Sequence, residues 1–272
     1  MILTAGGAPI FLSKNYINKD VIKAGGVYTA SSNQDLLERV LEMDPYAYWN
    51  SATADDDDTE VIDIDLYEGM TLTTRTDIAL IVLLNTNAKS FVIELSSDGG
   101  ATANTTYTVT DNALENYIID AAAAVKSANH VRVTIYSTIV PNEYKRLGTV
   151  VLAGFKKQMA KPPNFPTERK DRENKKVLTM GDGSENITYY KRSAASFSFY
   201  ECAFVFRPLT AAEILDLRAL KRANPAFLFY PEPGDKPGEI FYCRFKDSFL
   251  EKPVASYKGA GYELKFNVTE IE

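Results

Sequence analysis

The sequence predicts a mainly β protein of two domains, and three observations carry that prediction. Short segments with apolar residues at every second position recur along much of the chain, which is the spacing of strands. Residues 210–223 have the spacing of an amphipathic helix instead. Charge is uneven: residues 1–160 hold 12 basic and 20 acidic side chains, whereas residues 161–272 hold 18 and 16.

The first domain is predicted over residues 1–160 as short strands separated by turns. Residues 61–66 alternate, and residues 91–95 run into a Ser-Asp-Gly turn. Residues 78–84 are apolar on both faces, as in a strand buried between two layers. Further strands are predicted at residues 131–135 and 149–152. Regularly spaced short strands favour a β-sandwich.

Residues 161–176 are predicted to be an extended, Pro-rich and charged linker or arm. The segment shows neither helical nor strand periodicity. Its basic residues alternate with Glu168, Asp171 and Glu173, which reduces the local field and argues against a nucleic-acid site. We expect the arm to lie across an acidic neighbouring subunit.

The second domain, residues 177–272, is predicted as an antiparallel β-sandwich or barrel with a single helix. Residues 196–199 and 262–269 alternate like strands. Thr210 and Glu213 form a capping-box pattern at the start of the helix, which Asn224-Pro225 ends. Its apolar stripe consists of Ile214, Leu217 and Leu220.

Composition argues against most hydrolases. Two cysteines, Cys202 and Cys243, are too few for a disulfide framework or a zinc site, and the single histidine, His130, lies in a predicted strand. Residues 181–184, Gly-Asp-Gly-Ser, lack the spacing of a phosphate loop and are predicted to be a hairpin turn. Paired carboxylates remain an open alternative. We expect no catalytic residue, no cofactor and no metal, and neither a secretion signal nor a membrane span.

Two features have alternative interpretations. Trp49 either fills the core or stacks on a sugar. The run Asp55–Asp58 either forms a solvated loop tip or helps to bind calcium. The loop tip is favoured, because four consecutive carboxylates cannot all converge on one ion.

The N-terminal half resembles discoidin-type (factor 5/8 C-domain-like, galactose-binding-like) jelly-roll domains. The resemblance rests on segments that follow the family's order: residues 26–32, 36–51, 61–66, 91–100 and 130–133. It implies a jelly-roll sandwich, a core role for Trp49 and an inward-reaching Arg132. The fucose-lectin branch uses a loop histidine, so the position of His130 argues against fucose recognition.

The C-terminal half resembles the tail-tube and distal-tail proteins of long-tailed bacteriophages. The order of segments carries this resemblance: residues 197–206, 208–217, 225–231 and 268–272. It implies a self-associating, ring-forming subunit.

Together these features predict a structural, non-enzymatic virion protein of a phage tail tip or baseplate, assembled in the bacterial cytoplasm. The expected partners are further copies in a hexameric or trimeric ring, the tail-tube, hub and tape-measure proteins, and a host-surface glycan. The alternative is a carbohydrate-binding module or adhesin. Ligand-binding residues, ring order, tail type and host are not assigned from the sequence.

Overall fold

The computed structural model describes residues 8–17, 25–42, 47–120, 126–159, 168–171, 175–179, 185–189, 199–223, 226–231, 238, 240–246, 249–256 and 259–270. The chain divides into two compact units. Unit 1 consists of residues 1–158, 227–240 and 272, and unit 2 consists of residues 159–226 and 241–271.

Strands dominate both units. The first fifteen are β1 Ile10–Asn15, β2 Tyr28–Ala30, β3 Trp49–Asn50, β4 Glu60–Asp65, β5 Tyr67–Glu68, β6 Thr71–Leu72, β7 Arg75–Ile78, β8 Leu80–Leu84, β9 Ala88–Ser96, β10 Thr105–Val109, β11 Tyr117–Asp120, β12 Lys126–Ala128, β13 His130–Thr138, β14 Arg146–Leu147 and β15 Thr149–Gln158. The remaining eight are β16 Glu168–Asp171, β17 Lys175–Thr179, β18 Glu185–Tyr189, β19 Phe199–Leu209, β20 Phe227–Tyr230, β21 Phe241–Phe245, β22 Leu250–Ser256 and β23 Gly259–Glu270. The α-helix α1 spans Ala211–Ala223, and a 3₁₀ helix spans Gln34–Leu41.

Unit 1 contains two antiparallel sheets. One has the order β10-β9-β13-β4-β2, and the other has the order β11-β8-β15-β1-β20. Unit 1 also contains three short two-stranded antiparallel sheets: β12 with β7, β14 with β3, and β5 with β6. Consecutive strands repeatedly move from one sheet to the other, as in a jelly roll.

The core of unit 1 lies between these two sheets. Apolar side chains from both sheets share one buried cluster with the 3₁₀ helix: Leu37, Val40, Ile62, Ile64, Ile81, Leu83, Phe91, Ile93, Val131, Val133, Val150 and Leu152. Their alternation along β4, β9 and β13 is the pattern that the sequence shows. The prediction of a mainly β fold with an N-terminal sandwich is therefore confirmed.

The apolar run at residues 78–84 forms parts of two strands, not one. β7 ends at Ile78 and pairs with β12, whereas β8 begins at Leu80 and pairs with β11 and β15. The amide of Ala79 donates to the carbonyl of Ala153 at 2.9 Å, so the chain changes partners there without losing a hydrogen bond.

Unit 2 is built around β23, the longest strand. It pairs antiparallel with β19, β21 and β22, and β16 pairs with β19. Over residues 264–268 of β23, every second side chain is buried: Leu264, Phe266 and Val268. β17 and β18 form a separate antiparallel pair.

Helix α1 begins as the sequence predicts. The amide of Glu213 donates to Thr210 Oγ1 at 3.2 Å, and the amide of Thr210 donates to Glu213 Oε2 at 2.9 Å, which completes a reciprocal capping box. The predicted apolar stripe, Ile214, Leu217 and Leu220, is at most 4% exposed.

The units differ from the predicted domains in two places. β20, which falls in the predicted second domain, pairs with β1 and belongs to unit 1. Part of the predicted arm, β16, is paired with β19, because strand pairing satisfies its backbone groups whatever the side-chain pattern. The predicted turn at 181–184, residues 196–198 and Asn224-Pro225 lie outside the described residues.

Candidate functional site

Four connections meet at one end of the sandwich in unit 1. Thr149 is opposite Leu84, Tyr117 is opposite Leu83, and Thr138 is opposite Ala88. These registers bring together residues 47–59, 85–87, 110–116 and 139–148. We call this set the loop end.

At the loop end, the side chain of Tyr48 is exposed, whereas that of its neighbour Trp49 is buried. β3 pairs with β14, and this pairing places Trp49 opposite Leu147 in the core. Trp49 is 0% exposed, and its Nε1 donates to the carbonyl of Ser32 at 3.0 Å. The core role predicted for Trp49 is confirmed. Tyr48 lies directly before β3 and is 38% exposed.

The Arg146 guanidinium lies beside the Tyr48 ring. Its Cζ is 5.6 Å from the ring centroid, within the range of a cation–π contact. Its Nη2 is 3.2 Å from Glu115 Oε1, and the Glu115 side chain is 61% exposed. The buried Nε of Arg146 has no hydrogen-bond partner among the described residues. We call Tyr48, Arg146 and Glu115 the Tyr48 site.

Side chains of β8–β9 loop residues hold the backbone of Arg146. The amide of Arg146 donates to Asn87 Oδ1 at 2.7 Å, and Thr86 Oγ1 donates to the carbonyl of Arg146 at 3.0 Å. Asn87 Nδ2 also donates to the carbonyl of Tyr144 at 2.9 Å. Arg39 Nη1 donates to the carbonyl of Tyr48 at 3.3 Å. The site therefore rests on a hydrogen-bonded frame.

The acidic run predicted to be a solvated loop tip is partly tied down. Asp55, Asp57 and Asp58 are exposed, but Asp56 is half-buried and accepts hydrogen bonds from Thr138 and Asn142. Among the described residues, no group of three or more His, Cys, Asp or Glu side chains is placed to hold a metal ion.

His130 lies at the opposite end of the sandwich, where Ser96 and Asp65 are its neighbours on adjacent strands. Its Nε2 is 2.9 Å from Asp63 Oδ1, and its Nδ1 is 3.0 Å from Asp65 Oδ1. The hydrogen bond to Asp63 is the largest cause that raises the pKa of His130. Burial alone would raise the pKa of Asp63, but hydrogen bonds from His130 and Arg132 hold it below its usual value.

Arg132 does not reach inward as the resemblance implies. The side chains of Val131 and Val133 face the core, and Arg132 therefore lies on the outer face of β13. There its Nε donates to Asp63 Oδ1 at 2.7 Å. This is a correction: strand alternation places the arginine on the outer surface.

Cys243 is buried, and the side chain of Cys202 lies outside the described residues. Within the described part of the chain, no helix is long and apolar enough to cross a membrane.

Sequence reasoning did not assign Tyr48, Arg146 or Glu115 to a site. The alternation next to a core tryptophan could have identified Tyr48 as an exposed aromatic residue. No local pattern could have joined it to residues 115 and 146, because separate loops bring these three together.

No protein-family model matches the sequence, and no curated protein matches it. The N-terminal half of the chain matches solved carbohydrate-binding modules. Chitosan-binding module 1 of a chitosanase/glucanase from Paenibacillus sp. IK-5 is 22% identical over 51% of this chain and 98% of its own, with a TM-score of 0.39. A fucose-binding module of Streptococcus pneumoniae is 13% identical over 52% of this chain and 97% of its own, with a TM-score of 0.39.

A third similar structure is the family 32 carbohydrate-binding module of NanJ from C. perfringens, solved in complex with galactose. It is 12% identical over 47% of this chain and 92% of its own, with a TM-score of 0.37. The assignment of the Tyr48 site rests on the geometry of this chain.

Proposed function

We propose that unit 1 is a glycan-binding module and that the Tyr48 site is its binding surface. One observation carries the proposal: at the loop end of the sandwich, an exposed aromatic ring lies beside a cation that is itself paired with a carboxylate. The proposed role is binding without catalysis.

These three side chains match the chemistry of a sugar. The electron-rich face of the Tyr48 ring attracts the C–H face of a pyranose. The Arg146 guanidinium donates to ring or hydroxyl oxygens, and the Glu115 carboxylate accepts from hydroxyl groups. The Nε of Arg146 is a buried donor with no hydrogen-bond partner among the residues that the structure describes.

The frame around Arg146 lowers the cost of binding. Asn87 and Thr86 already fix its backbone, and Glu115 already orients its guanidinium. A preorganised site loses less side-chain entropy when the ligand arrives.

A glycan array, followed by calorimetry on each hit, tests the proposal. The array includes galactose, fucose, chitotriose and Lewis b, alongside acidic glycans. We expect Tyr48→Ala and Arg146→Ala each to weaken binding by about 5- to 30-fold, because each removes a contact worth roughly 1–2 kcal/mol.

Tyr136→Ala is the matched control, because Tyr136 is also a tyrosine, is 42% exposed and lies on the strand β13. It should leave affinity unchanged. An array without hits, or equal losses from Tyr48→Ala and Tyr136→Ala, would refute the proposed site.

A second candidate function is the ring-forming phage tail subunit that the sequence predicts, located in the virion. It stays a prediction, and one feature of unit 2 favours self-association. Leu215 and Leu250 are 60% and 64% exposed, and Leu250 begins β22, which among the described residues pairs with β23 alone.

Sedimentation velocity over a concentration series tests this second candidate. A subunit that forms rings should show a concentration-dependent hexamer or trimer, and Leu250→Lys should shift it towards the monomer. A wild-type protein that stays monomeric at high concentration contradicts self-association.

A further inference from the structure

Lys145 is a buried positive charge at the loop end. Its side chain is 0% exposed, and its ammonium donates to the carbonyl of Asp55. Burial of an ammonium group is costly unless it is hydrogen-bonded and an anion lies nearby. The acidic loop, residues 51–59, supplies both.

Asp56 is the anion. Its Oδ1 accepts from the amide and the hydroxyl of Thr138 at 3.0 and 2.9 Å, and its Oδ2 accepts from the amide of Asn142 at 3.3 Å. Burial alone would raise the pKa of Asp56, but the Thr138 and Asn142 hydrogen bonds and the charge of Lys145 hold it below its usual value. Asp56 is therefore ionised at neutral pH.

The backbone of Lys145 is tied to the same loop. The amide of Ser51 donates to the carbonyl of Lys145 at 2.8 Å, and the amide of Lys145 donates to Ser51 Oγ at 2.8 Å. Main chain and side chain thus join the acidic loop to residues 139–148.

The inward direction of Lys145 determines where its neighbours point. In extended chain, successive side chains alternate, so an inward Lys145 leaves Tyr144 and Arg146 outward. Tyr144 is 55% exposed, and Arg146 belongs to the Tyr48 site.

We propose that Lys145 is a positioning residue whose ammonium fixes the acidic loop through the carbonyl of Asp55. It locks residues 51–59 to residues 139–148 and thereby holds Arg146 in the glycan site without a metal ion. The role of Arg146 in glycan binding rests on the proposed function. The joining of residues 51–59 to residues 139–148, which we call the lock, does not.

Amide hydrogen exchange on the full chain tests the lock without any ligand. Lys145→Met removes the charge and keeps an unbranched side chain. We expect exchange at residues 51–59 and 139–146 to accelerate about tenfold or more, because an unpaired buried hydrogen-bonding group favours local opening. Exchange in β8 and β15 should not change.

Lys89→Met is the matched control, since Lys89 is half exposed and lies 3.8 Å from the exposed Asp111. Lys89→Met should leave amide hydrogen exchange at residues 51–59 and 139–146 unchanged. If Lys145→Met does not fold, Asp56→Asn removes the opposite charge and should accelerate the same amides.

Two results would overturn the proposal. The first is unchanged exchange in whichever of these variants folds. The second is a wild-type melting temperature that is higher in millimolar calcium than in EDTA, because the acidic loop would then hold a metal ion itself. If the lock is found and the array gives no hits, the proposed function fails and the lock stands.

Discussion

At the scale of single residues, His130 is held by a carboxylate on each side of its ring. A neutral imidazole has one N–H, so two carboxylates at 2.9 and 3.0 Å favour the imidazolium, which donates from both nitrogens. Arg132 on the same strand shares Asp63, and Glu94 lies opposite Arg132 on β9. The positive charges of His130 and Arg132 therefore lie among the three carboxylates of Asp63, Asp65 and Glu94.

This arrangement predicts a loss of stability as pH rises. The folded protein raises the pKa of His130 above the usual value of about 6.5, so its contribution is complete below that pH and disappears as pH rises through the folded pKa. The midpoint of urea unfolding should therefore fall when pH is raised above 6.5.

His130→Gln tests this dependence, because the sequence contains no other histidine. The variant should be less stable than the wild type at pH 6, and its midpoint should change less between pH 6 and pH 9. Parallel pH profiles for the two proteins would show that the pair with Asp63 and Asp65 does not drive the effect.

At the scale of elements, the connection from β9 to β10 is built around His130. Gly99 and Gly100 both have positive φ, at 72° and 89°. A Cβ on Gly100 would lie 2.8 Å from His130 Nε2, whereas a Cβ on Gly99 would have nothing within 4 Å. A side chain at either position would strain the backbone, and only at Gly100 would it also collide with a neighbouring residue.

Alanine at each glycine separates these two effects. Gly99→Ala should destabilise by about 1–2 kcal/mol through left-handed backbone strain alone. Gly100→Ala should cost more, because it also displaces the His130 ring from Asp63. Urea unfolding, followed by Trp49 fluorescence, gives the free energy of unfolding of both variants. Equal losses of stability would mean that the His130 ring moves aside without destabilising the protein.

Some elements could be predicted from sequence because their information is local. The capping box at Thr210 needs only residues three apart, and the core role of Trp49 is implied by the resemblance of its segment to discoidin-type domains. The pair of His130 with Asp63 depends on the register between β13 and β4, which no local pattern contains. The Tyr48 site depends in the same way on which loops meet.

At the scale of the whole molecule, unit 1 recruits a strand from far along the chain. β20 pairs with β1, and the Phe11 ring lies 5.6 and 5.1 Å from the rings of Phe227 and Phe229. All three side chains are at most 2% exposed. The sequence placed residues 227–230 in the second domain, because a short apolar run does not identify its partner strand.

This membership predicts that Phe229 stabilises the unit that contains Trp49. Phe229→Ala should lower the free energy of unfolding of unit 1 by about 3–5 kcal/mol, since it leaves a cavity beside Phe11. Trp49, the single tryptophan, reports on unit 1, so its fluorescence in urea measures this loss directly. Leu215→Ala, an exposed position on α1 in unit 2, is the control and should leave the Trp49 transition in place. If Phe229→Ala also leaves that transition unchanged, residues 227–230 stabilise unit 2 instead, as the sequence-based division implies.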